Sequence, residues 1–541
     1  MIILYLFLLG VPAVLIFYVA PFLTYLGRVI GWYLRRKSRD RRAQLLARVQ
    51  IEEEELRRQK KDVASVEEDE WETIESHATG SAANGEKAPR EWEGVVGFFH
   101  PFCNAGGGGE RVLWAAIRAT QKRWPKAVCV VYTGDHDVDK TAILERVEQR
   151  FNIRLHSPTV IFLYLSTRHY VLSSTYPHVT LLGQSLGSLI VAYDAFSLLV
   201  PDIFVDTMGY AFALAFSKFL FPITPTGAYV HYPTISTDML GSLDEGGQGL
   251  NAGTGKGWKG KAKKKYWHLF ARIYSWVGGG VDIVMTNSSW TQAHIRSLWG
   301  PARAKRSKFS DVQVVFPPVA VEELEREVDA GAESERKRER VILYIAQFRP
   351  EKNHALILES FAKLLNQSPA GPPIRLAFIG SVRHSDDATR VYDLRLLAHE
   401  LKVKDSVSFI CDATWPEILD WLRKSWIGVN GMWNEHFGIG IVEYQAAGLI
   451  SVVHDSGGPK EDIVVEFDGG PTGFHATTAA EFASAFKTAF ALSTDDTLTM
   501  RKRARASAKR FTEEAFAKRW IAQMERLIEL ESASSSLDSS S

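Results

Sequence analysis

The 541-residue chain has little cysteine, and its positive and negative charges nearly cancel. Only Cys103, Cys129 and Cys411 occur, and their spacing fits neither a zinc site nor an even-numbered disulfide framework. A disulfide-rich secreted scaffold is therefore excluded, and a reducing compartment is favoured. Lys and Arg total 64 against 63 Asp and Glu, so the chain lacks the basic excess of a nucleic-acid-binding protein, and we predict no nucleic-acid partner.

Charged side chains are missing from residues 1–27. At about 1.5 Å per residue, such a stretch crosses a hydrocarbon core of about 30 Å as a helix. A cleaved signal peptide is disfavoured because the apolar run is too long and the basic residues follow it. These residues are Arg28, Arg35, Arg36, Lys37, Arg39, Arg41 and Arg42. They place the rest of the chain in the cytosol by the positive-inside rule. A long buried helix of a soluble domain is the alternative.

Two nucleotide-binding motifs are also missing. A glycine-rich loop, residues 104–109, follows an apolar strand and opens a helix at Glu110, but it is neither G-x-G-x-x-G nor G-x-x-x-x-G-K-[ST]. Free N–H groups and the positive end of the helix suit this glycine loop to an anion, although a flexible turn would look the same. The residues of interest are Asn104, Gly106, Gly107, Gly108 and Gly109.

What is present is an alternation of short apolar strands with amphipathic helices, repeated twice. This pattern predicts an α/β fold with two Rossmann-like domains and a cleft between the carboxyl ends of their parallel sheets. We predict a transmembrane anchor over 1–31, a charged linker over 32–92, and domains over 93–318 and 319–511. Residues 512–541 are predicted to form a helix that returns to the first domain, followed by a disordered serine-rich tail. A Gly- and Lys-rich segment, 245–265, suits either an anionic membrane surface or a solvated loop.

Three sets of polar residues stand where the predicted strands end. Arg349 and Lys352 follow the strand-like run from Val341, and two cations three residues apart suit a diphosphate, although a surface turn is the alternative. Glu435 and Glu443 flank a predicted helix start, where a structural ion pair would also explain them. His231 ends a strand of the first half and could donate to a sugar hydroxyl or a phosphate, or be a satisfied core histidine.

Together these motifs resemble those of the retaining GT-B glycosyltransferases of the E-x7-E type, which are similar to glycosyltransferase family 4. Glu435 and Glu443 match the paired carboxylates, and Arg349 with Lys352 matches the basic donor-phosphate pair. A closer resemblance is to the mannosyltransferases of the asparagine-linked glycosylation pathway. It is carried by three strings, His100–Trp114, His231–Ser236 and Gly431–Ile439.

The resemblance implies a reaction and its partners. The donor would be GDP-mannose, and the acceptor a dolichol-pyrophosphate-linked oligosaccharide on the cytosolic face of the endoplasmic reticulum membrane. The chain would add the fourth and fifth mannoses with retention of configuration, with other mannosyltransferases of the pathway as possible partners. No metal or other cofactor is expected, because Arg349 and Lys352 would take the place of a divalent ion at the GDP pyrophosphate.

The resemblance also assigns roles to single residues. Glu435 would orient the mannose and Glu443 would bind the ribose hydroxyls, while His231 and the glycine loop would line the acceptor and phosphate side. The implied catalytic residues are Glu435, His231, Arg349 and Lys352. The implied donor-binding residues are Arg349, Lys352, Glu435, Phe437, Gly438, Ile439 and Glu443. Two other readings stay open, a related transferase with another donor or lipid acceptor, and a non-catalytic scaffold subunit.

Overall fold

The computed structural model describes residues 18–62, 91–244, 253–306, 311–367 and 372–538. Most of the predicted anchor, residues 1–17, and much of the predicted linker, residues 63–90, lie outside this range. The described chain forms two α/β domains and a long N-terminal helix.

The first domain is built on a seven-stranded sheet whose paired strands all run parallel, in the order β3-β2-β1-β4-β5-β6-β7. Its central strands are continuous apolar runs because helices cover both faces of a parallel sheet. The strands are β1 Val95–Phe99, β2 Val128–Thr133, β3 Val160–Tyr164, β4 Ile203–Asp206, β5 Thr226–Val230, β6 Ile283–Thr286 and β7 Gln313–Val314. The helices are α1 Ala20–Asp62, α2 Gly108–Arg123, α3 Lys140–Phe151, α4 Thr180–Leu198, α5 Ala211–Leu220, α6 Thr237–Ser242, α7 Gly257–Gly278 and α8 Ser289–Lys305.

The second domain has a six-stranded parallel sheet in the order β10-β9-β8-β11-β12-β15. Its strands are β8 Val341–Ile345, β9 Arg375–Gly380, β10 Val407–Cys411, β11 Ile427–Asn430, β12 Ile450–His454, the hairpin β13 Glu466–Phe467 with β14 Gly470–Pro471, and β15 Gly473–Ala476. The helices are α9 Val321–Glu327, α10 Ala332–Lys337, α11 His354–Gln367, α12 Ser385–Glu400, α13 Trp415–Lys424, α14 Ile439–Ala446, α15 Ala479–Ala491, α16 Thr494–Ala508 and α17 Glu513–Asp538. The predicted fold class of two Rossmann-like domains is confirmed.

Helix α1 differs from the predicted division into an anchor and a linker. It runs unbroken through residue 32 and packs along the first domain as far as residue 53. Arg42 forms a two-pronged ion pair with Asp202, at 3.0 and 2.6 Å, and Lys140 Nζ donates to Glu52 Oε2 at 2.7 Å. The charges that suggested a solvated linker over 32–62 therefore belong to a docked helix.

The apolar run Val179–Leu182 is typical of a strand by its composition, but it forms the start of helix α4. The physical reason is the continuation of the run, since Ser188, Val191, Ala195 and neighbouring residues are buried at helical spacing. By length and composition α4 is also the one helix in the described ranges that could cross a membrane. It packs against α1 and α5 in the first domain.

Large apolar side chains are exposed on one set of neighbouring helices, which we call the apolar face. Helices α1, α4, α5 and α7 pack on one another and carry it. Its residues include Phe22 and Trp32, then Leu186, Ile190 and Tyr193, then Phe219, Trp258, Leu269 and Trp276. The lysine-rich part of the 245–265 segment forms the first turns of α7, whereas residues 245–252 lie outside the described range.

The last helix, α17, returns to the first domain. Trp520 is fully buried there, stacks 6.2 Å from Phe98, and donates from Nε1 to Thr120 Oγ1 at 3.0 Å. The helix extends to Asp538, so most of the serine-rich tail that we expected to be disordered is helical. Residues 539–541 lie outside the described range.

Replacing Gly31 should loosen the docking of α1 on α5. A Cβ at Gly31 would lie 2.1 Å from the carbonyl oxygen of Leu220, so helix and domain must separate. We expect Gly31→Ala to cost about 1–3 kcal/mol, the usual range for overpacking. It should lower the melting temperature of the detergent-solubilised protein and speed proteolysis within α1. Gly300→Ala is the matched control, because no atom lies within 4 Å of its Cβ position. Equal melting temperatures for the two variants would contradict this account.

Candidate active site

A half-buried ion pair stands at the carboxyl end of the second sheet. Lys352, in a 3-10 turn after β8, donates from Nζ to Glu435 Oε2 at 2.5 Å. Asn430, the last residue of β11, donates to the same oxygen at 3.3 Å. Burial raises the pKa of Glu435, but Lys352 and Asn430 outweigh it, so the pKa lies below its usual value. Glu435 is therefore ionised at neutral pH.

Arg349 begins the same turn and is exposed at its N-cap. Lys352 is thus paired with Glu435, whereas Arg349 is exposed. Both cations lie at the sheet edge where a diphosphate was expected, and their role there stays a prediction.

The helix expected to start near Gly438 is α14. Gly438 has a φ of 106°, which glycine adopts without strain, and no side chain caps the first turn of α14. The backbone N–H group of Ile439, the first residue of α14, is therefore open to a ligand. Phe437 differs from our expectation, since its ring is 3% exposed and packs against Phe316 and Phe511. Only the backbone of Phe437 is left for a donor, and its side chain belongs to the core.

Glu443 lies one turn into α14 and faces the first domain. Burial raises its pKa, and Arg111 is the charge that opposes this effect. Arg111 belongs to α2. Burial lowers the pKa of its guanidinium, and the charges of Glu513 and Glu443 oppose this effect. Its Nε atom is buried without a hydrogen-bond partner in the described structure. Sequence reasoning gave Arg111 no role, although its place directly after the glycine loop was a usable signal.

The glycine loop reaches the second domain. A Cβ at Gly108 would lie 2.7 Å from Ile439 Cδ1, so a larger residue would require the end of the Ile439 side chain to move. The loop is held from below by Glu110, whose carboxylate accepts from the N–H groups of Ala105, at 2.8 Å, and of Gly107. Asn104 N donates to Asp135 Oδ2 at 3.1 Å. The structure thus brings the glycine loop and the start of α14 together.

His231 follows β5 and faces the same loop. Its Nε2 atom lies 3.6 Å from a Cβ position at Gly109 and has no hydrogen-bond partner in the described part of the chain. The ring also bonds to the backbone of Thr207, which must involve Nδ1 as donor. Burial lowers the pKa of His231 to about 4, so the ring is neutral. Nε2 is then an acceptor, suited to a sugar hydroxyl rather than to a phosphate.

Asp206 organises the loop beside His231. It ends β4, and its carboxylate accepts from the N–H groups of Met208, Gly209 and Tyr210 at 3.1, 2.8 and 2.7 Å. This loop and α4 line a cavity with polar and apolar walls. The cavity-lining residues are Gln184, Ser185, Ser188, Met208, Gly209, Tyr210, Ala211, Phe212 and Thr234.

The two domains match two family models. Residues 93–299 match the ALG11 mannosyltransferase N-terminus, and residues 325–511 match the glycosyl transferases group 1. A Neurospora crassa protein named GDP-Man:Man(3)GlcNAc(2)-PP-Dol alpha-1,2-mannosyltransferase is 63% identical over 93% of this chain and 92% of its own length. The chain belongs to this mannosyltransferase family. Members from Mus musculus and Homo sapiens, with the same name, are 45% and 44% identical over 80% of the chain and 87% of their own lengths.

Comparison with solved structures shows that this chain has the GT-B fold. Anabaena HepE in complex with UDP and glucose superimposes with a TM-score of 0.54 at 16% identity, over 80% of this chain and all of HepE. The N-terminal domain of Candida albicans trehalose-6-phosphate phosphatase gives 0.60 at 12% identity, over 82% of this chain and 98% of its own. The expected resemblance to GT-B glycosyltransferases is confirmed.

Asp206 should make stability depend on pH in a defined direction. Burial raises its pKa from 3.8 to about 7, although three N–H bonds oppose this. The folded state therefore holds the proton more tightly than the unfolded state, and stability is lost as pH rises from about 4 to 7. We expect the melting temperature of Asp206→Asn, relative to wild type, to rise across that interval and to level off above it. A constant difference from pH 4 to 8 would contradict the shift.

Proposed function

We propose that the chain transfers mannose from GDP-mannose to dolichol-pyrophosphate-linked Man(3)GlcNAc(2), adding the fourth and fifth mannoses in α-1,2 linkage. The observation that carries this is the cleft that joins Glu435, Lys352 and Glu443 to His231 and the glycine loop. The names of relatives with up to 63% identity support the donor and the acceptor.

The second domain would bind the donor. Arg349 and Lys352 hold the pyrophosphate, and their charges stabilise the negative charge that grows on the leaving GDP. The open N–H groups at the start of α14 act on the same group. Glu443 accepts from the ribose hydroxyls, which compensates a carboxylate that burial otherwise penalises. Glu435 orients the mannose while its charge is balanced by Lys352.

The first domain would present the acceptor. With Glu435 already engaged by Lys352 and Asn430, we favour attack on the same face as the leaving phosphate, which takes the acceptor proton and retains configuration. A covalent intermediate on Glu435 is the alternative. Neutral His231 accepts a hydroxyl of the bound sugars through Nε2. The cavity beside Tyr210 would bind acceptor sugars nearer the lipid.

We also propose that the chain is held at the endoplasmic reticulum membrane by a single N-terminal span, with both domains in the cytosol. The uncharged residues 1–27 and the basic residues that follow support this orientation. The apolar face supports contact with lipid, since exposed Trp and Tyr are typical of membrane interfaces. Other mannosyltransferases of the pathway are proposed as partners on the sequence resemblance alone.

The orientation predicts that Asn366 carries no glycan in cells. Asn366-Gln367-Ser368 is a glycosylation sequon on the exposed end of α11, so a luminal domain would be modified there. Asn287, in the second sequon, is a poor reporter because its side chain is buried and accepts from Thr291 Oγ1 at 2.7 Å. Endoglycosidase digestion followed by a mobility assay makes the measurement. A glycan on Asn366 would overturn the proposed topology.

Purified protein should extend a trimannosyl dolichol-type acceptor by two α-1,2-mannoses when given GDP-mannose. A panel containing GDP-mannose, UDP-N-acetylglucosamine and UDP-glucose tests the donor, with product sugars counted by mass spectrometry. We expect transfer from GDP-mannose alone, and undiminished transfer in EDTA if Arg349 and Lys352 replace a metal. Transfer from a UDP-sugar would establish the alternative enzyme. Absence of any transfer, beside an active relative as control, would support the scaffold reading.

Lys352→Ala should lower the transfer rate by about 10²–10³-fold, the loss typical of removing one electrostatic contact to the transition state. It also leaves the half-buried Glu435 carboxylate without its cation, so we expect a weaker affinity for GDP. Steady-state kinetics and GDP titration measure the two effects. Lys337→Ala is the control, because Lys337 pairs with Glu333 on the exposed surface of the same domain. A rate within threefold of wild type for Lys352→Ala would contradict the assigned role.

A further inference from the structure

The segment that carries Glu435 crosses to the first domain. Residues 431–437, which we call the Glu435 loop, join β11 to α14. Asn434, with a φ of 52°, donates from Nδ2 to Asp238 Oδ2 at 2.6 Å. Asp238 belongs to α6 of the first domain. The residue before Glu435 is therefore bonded across the cleft.

The residue after Glu435 is held across the cleft as well. The ring of His436 lies 4.0 Å from that of Tyr232, centroid to centroid, with 24° between their planes. Trp290, also in the first domain, has its ring 5.6 Å from His436 at 22°. Burial lowers the pKa of His436 to about 4, although Glu435 opposes this, so a neutral ring makes these contacts.

Asp238 is itself fixed and charged. Bonds from His294, Trp290 and Asn434 lower its pKa, with the His294 bond as the largest cause. His294 in turn bonds through Nδ1 to Thr237 Oγ1 at 2.6 Å. The first domain therefore offers the hydrogen-bonded carboxylate of Asp238 to Asn434, and the rings of Tyr232 and Trp290 to His436.

We propose that Asp238 and Tyr232 are positioning residues that hold Asn434 and His436, and so set Glu435 in place when the two domains close. Tyr232 directly follows His231 in the chain. The Tyr232–His436 stack thereby fixes the distance between the acceptor-side imidazole and the donor-side carboxylate. Closure of the two domains would therefore also bring Glu435 into its place in the active site. As far as transfer is concerned, this inference rests on the proposed function.

The test uses the full chain in nanodiscs and compares His436→Ala, His436→Phe and Tyr232→Ala. Displacement of a reacting group by about 1 Å costs on the order of 10²-fold in rate. We expect His436→Ala and Tyr232→Ala to lower kcat by about 10–100-fold, with little change in GDP affinity. His436→Phe keeps the stack, so it should recover most of kcat with an unchanged pH profile. Lys337→Ala, which breaks an exposed ion pair with Glu333, is the control.

Hydrogen exchange of the amides in residues 431–437 is measured on the same samples. It should accelerate in His436→Ala and Tyr232→Ala but not in His436→Phe or Lys337→Ala. If wild type binds GDP but transfers no mannose, the proposed function fails, while the exchange rates still decide the positioning role. Unchanged exchange in His436→Ala would overturn the inference. So would an inactive His436→Phe, because the imidazole would then have a chemical role.

Discussion

The burial of α17 in the first domain joins the two domains a second time. The helix follows the whole second domain in the chain, yet Trp520 fills the first domain's core and bonds to Thr120. Each sheet could bury its own apolar faces separately, so sheet packing alone would leave their relative orientation undefined. Since the chain must cross back, Phe316, Phe437 and Phe511 cluster at the crossing point. Phe437 lies between Glu435 and α14, so the cluster at the crossing point also supports the active site.

The two carboxylates of the site occupy different electrostatic environments. Glu435 is paired within its own domain and its pKa is lowered, whereas burial raises the pKa of Glu443 although the charge of Arg111 in the other domain opposes this. Similar side chains eight residues apart thus acquire different properties. In the proposed reaction, Glu435 would hold its charge near the reacting carbon and Glu443 would accept from neutral hydroxyls. Environment, more than residue type, separates the roles.

Much of the fold could be predicted from the sequence because parallel strands buried on both faces are continuous apolar runs. The strand-like run predicted from Val341 is strand β8, which begins at that residue. Prediction failed where local composition misleads. Arg42 and Glu52 look solvated until their partners across the first domain are known, and Val179–Leu182 is apolar enough for a strand or a helix.

Within the site, motif residues were placed correctly at the carboxyl ends of strands, but their side-chain directions were not predictable. Phe437 sits inside a donor motif and points into the core. Arg111, Asp238 and His436 gained significance only through contacts between segments more than a hundred residues apart. Such contacts depend on how the two domains close, which no local pattern records.

Helix α1 has a consequence for substrate choice. It extends 43 residues, about 65 Å, and its ion pairs to Asp202 and Lys140 make it part of the first domain. If the N-terminal residues span the bilayer, as proposed, α1 connects the membrane to the first domain as a continuous helix. The cleft would then lie at a fixed distance from the lipid headgroups. An acceptor anchored in the same bilayer reaches Glu435 only if its sugars span that height, so the length of the oligosaccharide becomes a criterion of selection.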